Sequence, residues 1–172
     1  LSTSGTATEG TDYGSLSDIT ISAGATTGTT TFTPTDDSMY ETSTDETATV
    51  AIDTVSGGSA TENGTQSVTI TINENESAPT VTLAASATSI AENAGSSITI
   101  TASLSGTTSQ DVTVSLSSSS TATEGPDYGT VSDITITSGS TSGTTTFTPT
   151  DDSLYDATSN ETAILSISGV SG

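Results

Sequence analysis

The chain contains no lysine, arginine, histidine, cysteine or tryptophan. Each absence removes a class of function. Without Lys or Arg no side chain can neutralise phosphates, so nucleic acid is excluded as a partner, and so is an anionic lipid surface. Without His or Cys there is no zinc site of the usual kind, no thiol nucleophile and no imidazole base. Lack of lysine rules out a Schiff base or a Lys–Asn isopeptide cross-link, and with no arginine either there is no cleavage point for trypsin-like proteases. Cysteine-free, the chain is not a disulfide scaffold. No apolar run approaches the roughly 20 residues of a membrane helix, so no membrane insertion is expected in this segment. A signal peptide is also absent and position 1 is Leu, which makes an internal piece or a mature product the expectation.

What remains is oxygen. Of 172 residues, 42 are Thr, 32 are Ser and 21 are acidic, for a formal net charge of −21. Apolar residues make up 29%. Low hydrophobicity with high net charge is the composition of a disordered chain. Two features argue for order instead. Threonine favours strands, and the apolar residues alternate with polar ones rather than scattering. Any core so built is thin, so stabilisation by metal or by neighbouring modules is expected.

Self-comparison organises the rest. Residues 1–57 align without gaps to residues 116–172, an offset of 115. Thr6-Ala-Thr-Glu-Gly10 matches Thr121-Ala-Thr-Glu-Gly125, and Asp12-Tyr-Gly14 matches Asp127-Tyr-Gly129. The run Gly28 to Ser38 matches Gly143 to Ser153 at every position. The natural boundary falls near Ser77-Ala-Pro79. Residues 1–77 therefore read as the later part of one module, and residues 78–172 as the first part of the next. A fragment of a longer tandem array is the expectation.

Period-2 alternation marks the strands. It runs through Val81-Leu83-Ala85, Ile98-Ile100-Ala102-Leu104 and Val112-Val114-Leu116. It returns at Ile134-Ile136 and Ala163-Leu165-Ile167, with first-copy counterparts at Ile19-Ile21 and Ala48-Val50-Ile52. Val68-Ile70-Ile72 closes a module, and Phe32 and Phe147 each sit in a Thr-rich run ending in Pro. No amphipathic helix is evident. About seven strands per module, each with one wet face, predict an all-β fold: antiparallel immunoglobulin-like β-sandwich modules in tandem, with Greek-key connections.

The carboxylates gather at strand ends. In the second copy these are Glu92, Asp127, Asp151, Asp152, Asp156 and Glu161. The first copy offers Asp12, Asp36, Asp37, Glu41 and Glu46, then Glu74, Asn75 and Glu76 after its last strand. Asp18 and Asp133 also repeat but begin strands, where turn or edge roles are expected. Loops of a sandwich cluster at its two ends, so several of these acids can converge. Crowded carboxylates repel without a counter-ion, and the side chains supply none. Ca2+ fits best, because it accepts six to eight oxygens in irregular geometry. The four tyrosines, Tyr13, Tyr40, Tyr128 and Tyr155, adjoin the acidic loops and read as caps on the core.

These residues resemble a known family. Pro79-Thr-Val-Thr-Leu83, Ser89-Ile-Ala-Glu-Asn-Ala-Gly95, Ala122-Thr-Glu-Gly-Pro-Asp-Tyr128 and Phe147-Thr-Pro-Thr-Asp-Asp152 together are similar to the Calx-beta domain. That domain is a calcium-binding sandwich of sodium–calcium exchangers and bacterial surface proteins. The resemblance covers essentially the whole chain. It implies metal ligands at an early Glu, the Asp before Tyr, the Asp-Asp pair, the acids just after it, and an acidic run ending the last strand. Those roles fall on the residues named above in both copies. The sequence departs from the family pattern in ending its last strand with Glu74-Asn-Glu76 rather than three Asp.

No catalytic constellation accompanies the acids. A serine nucleophile has no His or Lys to activate it, and a sugar-cleaving carboxylate pair lacks an aromatic platform, so the chain is not expected to be an enzyme. The sequence predicts a calcium-binding structural repeat of an extracellular fibre or adhesin stalk, at a cell surface or secreted. Its partners are then neighbouring modules of the same chain and other copies in a filament. A calcium-sensing regulatory domain and an acidic spacer in a ligand-binding surface protein are the alternatives.

Overall fold

The computed structural model describes residues 1–41, 45–153 and 160–172. It is all-β: eleven strands lie among the described residues, with one short 3-10 turn, Glu92–Ala94. The chain divides into two compact units. One is Leu1–Ser38 with Ser43–Asn75; the other is Met39–Thr42 with Glu76–Gly172.

In the second unit two three-stranded antiparallel sheets enclose the core. One has the order β10-β6-β5, from Ser142–Phe147, Ile98–Leu104 and Val81–Ala85. The other has the order β11-β8-β9, from Ala163–Ser171, Val112–Ser120 and Ile134–Ile136. The alternating apolar residues point between them. Ile98, Ile100, Ala102 and Leu104 of β6 meet Val112 and Val114 of β8 and Ile134 and Ile136 of β9, all buried. The intervening Thr and Ser positions face solvent, so one sequence period serves both faces. A two-residue parallel pair, β2 (Met39–Tyr40) with β7 (Thr107–Thr108), adds to this unit. A β-bulge interrupts β11 between Ile167 and Gly169.

The first unit holds one three-stranded sheet, β1-β3-β4, from Ser2–Gly5, Glu46–Ala51 and Ser67–Ile72. Its buried cluster is small: Ala7, Tyr13 and Ala48, with Leu16, Phe32 and Ile72 packed against it. The strands expected around Ile19-Ile21 and Phe32 do not form. Their second-copy counterparts are β9 and β10, which pair with β8 and β6. The given sequence holds no first-copy counterpart of β5, β6 or the start of β8. Without a neighbour to satisfy their backbone groups, the same residues stay outside a ladder.

Candidate metal site

The Asp-Tyr turn is built alike in both copies. In the first, Thr8 N donates to Asp12 Oδ2 at 2.5 Å, and Thr35 N donates to the Asp12 carbonyl at 2.9 Å. In the second, Thr123 N donates to Asp127 Oδ2 at 2.5 Å, and Thr150 N to the Asp127 carbonyl at 2.9 Å. The next residue is the buried anchor. Tyr13 and Tyr128 are each 2% exposed and stack on Phe32 and Phe147, with ring centroids 4.7 and 4.8 Å apart. Each ring fixes the half-buried carboxylate beside it, leaving Oδ1 of Asp12 or Asp127 for other partners. Tyr40 is half-buried, and Tyr155 lies outside the described residues.

Three predicted ligands come together. Asp12, Glu41 and Glu46 are half-buried, and one oxygen from each lies within 4.8 Å of the others. Glu46 opens β3, so the strand places its carboxylate at the sheet end. Each carboxylate pair repels by about 1 kcal/mol in a water-like dielectric at this spacing, more where solvent is reduced. The one cation present, the Leu1 ammonium, lies 2.6 Å from Asp18 instead. Ca–O distances of about 2.3–2.6 Å place opposite ligands of one calcium ion at most about 5 Å apart, so the donor set fits that ion in spacing and chemistry.

The other first-copy acids form a second layer. Asn75 Nδ2 donates to Asp36 Oδ1 at 3.1 Å, tying the segment after β4 to the Asp-Asp loop. Glu74 N donates to Asp45 Oδ1 at 3.3 Å. Asp45 was not among the predicted ligands. Its second-copy counterpart is Asn160, so matching the repeats by acidity passed over it. Asp37 is exposed, while Glu74 and Glu76 are half-buried.

In the second copy Asp152 N donates to Glu92 Oε1 at 3.1 Å, joining the 3-10 turn to the Asp-Asp loop. Glu92, Asn93, Ser97, Thr148 and Asp151 border a cavity of about 190 Å3, across which Ser97 and Thr148 hydroxyls meet at 2.7 Å. The structure thus brings Glu92 to Asp151 and Asp152. Asp156, the counterpart of Glu41, lies outside the described residues. Glu161 is exposed at the approach to β11.

Asp18 and Asp133 do other work. Asp133 accepts from Leu116 N at 2.9 Å and from Ser115 Oγ at 3.0 Å, fastening the entry of β9 to β8. Asp18 makes the matching bond to the nitrogen of Leu1, the counterpart of Leu116. That nitrogen is an ammonium here, and its hydrogen bond and charge hold the Asp18 carboxyl below the usual carboxylate range.

Neither a search of curated proteins nor a search of solved structures returned a match. A family model did. The Calx-beta domain model matches residues 1–76 and again residues 74–171. That family is non-catalytic and is known for calcium binding, in agreement with a β-sandwich whose acids meet at strand ends. The chain belongs to the Calx-beta domain family.

Proposed function

We propose that the chain is a calcium-binding structural repeat, part of an extracellular fibre or stalk whose modules Ca2+ stiffens at their acidic ends. The observation that carries this reading is the Asp12–Glu41–Glu46 group, three carboxylates within 4.8 Å in a chain without a basic side chain. Asp12, Glu41 and Glu46 would hold the ion in the first copy, with Asp36 and Asn75 beside them. Glu92, Asp127, Asp151, Asp152, Asp156 and Glu161 would supply it in the second. Bound calcium offsets the carboxylate repulsion and cross-links loops that otherwise meet through few apolar contacts. The thin cores support the same reading, since a small core gains most from a ligand that binds the folded state alone. The tandem repeat favours a structural role over sensing, because repetition multiplies length and not output surfaces. No helix among the described residues is long and apolar enough to cross a membrane.

Small-angle scattering during a chelator titration tests the proposal. The expected result is a change in maximum dimension and a broader shape distribution as calcium is withdrawn. An unchanged profile from saturating calcium to excess chelator would count against it.

A further inference from the structure

The two copies differ at one sheet edge. In the first, β3 lies between β1 and β4. In the second, β11 pairs with β8 on one side and is the edge of its sheet among the described residues. The inner pairing is the same in both. Ser2–Gly5 faces Ala51–Ala48 in the register with which Ser117–Ser120 faces Ser166–Ala163. The outer edge of β11 is therefore equivalent to the edge of β3 that β4 occupies. Its residues respond to the difference: Ala48 is fully buried beneath the β3–β4 pair, while Ala163 is half-exposed and Ile164 is 56% exposed.

We infer that the free edge of β11 accepts, in trans, a strand with the chemistry of Ser67–Glu76 carried by another copy of this chain. The β3–β4 register specifies how it sits. Ala48 faces Ile70, Val50 faces Val68 and Glu46 faces Ile72, so the incoming Ile, Val and Ile lie opposite Ala163, Leu165 and Glu161. The alternation Val68-x-Ile70-x-Ile72 puts three apolar side chains on one face of the added strand, and backbone bonds to β11 supply the rest of the affinity. The trailing Glu-Asn-Glu then has a defined destination. Asn75 bonds Asp36 in the first copy, and the equivalent of Asp36 is Asp151. An arriving strand thus carries its Asn to the Asp151–Asp152 loop beside Glu92. An acidic peptide meeting a chain of net charge −21 gains nothing from steering, so its binding isolates the strand pairing. Acceptance does not require metal. Calcium held at that end under the reading above tightens it, and by linkage the strand tightens calcium.

The test uses the 172-residue chain and a labelled peptide of residues 66–76, titrated by fluorescence anisotropy in excess calcium and in excess chelator. The inference predicts saturable one-to-one binding, with slowed amide exchange confined to Ala163–Ser171 and their β8 partners. A peptide carrying Val68→Asp and Ile70→Asp should bind at least tenfold more weakly. Tenfold or greater tightening by calcium supports both this inference and the calcium reading. Equal binding in calcium and chelator supports the strand site and counts against calcium at this end. Absence of saturable binding in both buffers, protection at other strands, or dimerisation through β11 that excludes the peptide overturns the inference.

Discussion

Ile134 and Ile136 are 1% and 0% exposed, whereas Ile19 and Ile21, in the same Asp-Ile-Thr-Ile sequence, are 43% and 57% exposed. In the second copy this segment is β9, paired with Val112–Val114 of β8 and roofed by β6. In the first it is no strand. Meanwhile the surrounding short-range geometry is duplicated. Gly28 and Gly143 sit equally close to the carbonyls of Thr20 and Thr135, and Gly14 N and Gly129 N each bond a threonine carbonyl at 2.9 Å. Both tyrosines stack on their phenylalanines. Turn chemistry and close packing are thus properties of the local sequence. Strand formation belongs to the pair, because a ladder needs a second set of donors and acceptors.

The largest expected effect lies where the copies agree. Tyr13→Ala and Tyr128→Ala should each cost about 3–5 kcal/mol, the usual loss for a buried aromatic. Amide exchange under urea, read separately on each copy, measures both. Similar losses would place the tyrosine anchor among local features, and a much smaller loss at Tyr13 would break the parallel.

The next effect lies where they differ. Ile136→Ala should destabilise the second copy by about 3 kcal/mol through lost burial and a residual cavity. Ile21→Ala should change the first by less than about 0.5 kcal/mol, as for an exposed site. Equal losses would mean that Ile21 is covered in solution. The smallest effect separates the two aspartates. Asp133→Ala removes two hydrogen bonds to β8 and should cost about 1 kcal/mol. Asp18 has a lowered pKa, so its contribution is present above the ordinary carboxylate pKa and fades as pH falls through the lowered value. Because Asp18 and its ammonium partner meet at an exposed site, 0.5 M salt should weaken the pair. A carboxyl-carbon NMR titration of Asp18 midway below the usual range, moving up with salt, is the expected signature.

Much of this architecture is legible in the residues. Alternation at Ile98-Ile100-Ala102-Leu104 reads directly as β6, because one buried face imposes period 2. The Calx-beta resemblance is carried by short turns such as Pro126-Asp127-Tyr128, whose geometry is set within a few residues. Alternation at Ile19-Ile21 reads the same way yet forms no strand, since period 2 records a preference and says nothing of whether a neighbour exists. The short β2–β7 pair leaves no such trace: two residues are too few for a period. At the acidic ends, Asp12, Glu41 and Glu46 are placed together by a turn, a loop and a strand start distant in sequence. Their individual presence is readable, but their proximity is a product of the fold. Asp45 escaped because its repeat partner is neutral.

The central claim is that these carboxylates coexist by sharing calcium. Calorimetric titration of calcium into the metal-free chain, beside the Asp12→Asn, Glu41→Gln, Glu46→Gln triple variant, tests it most directly. The account predicts saturable binding by the parent chain and at least one fewer ion bound by the variant, whose fold in chelator is retained because three repelling charges are gone. Identical isotherms for the two proteins, or no calcium uptake by the parent, would contradict it.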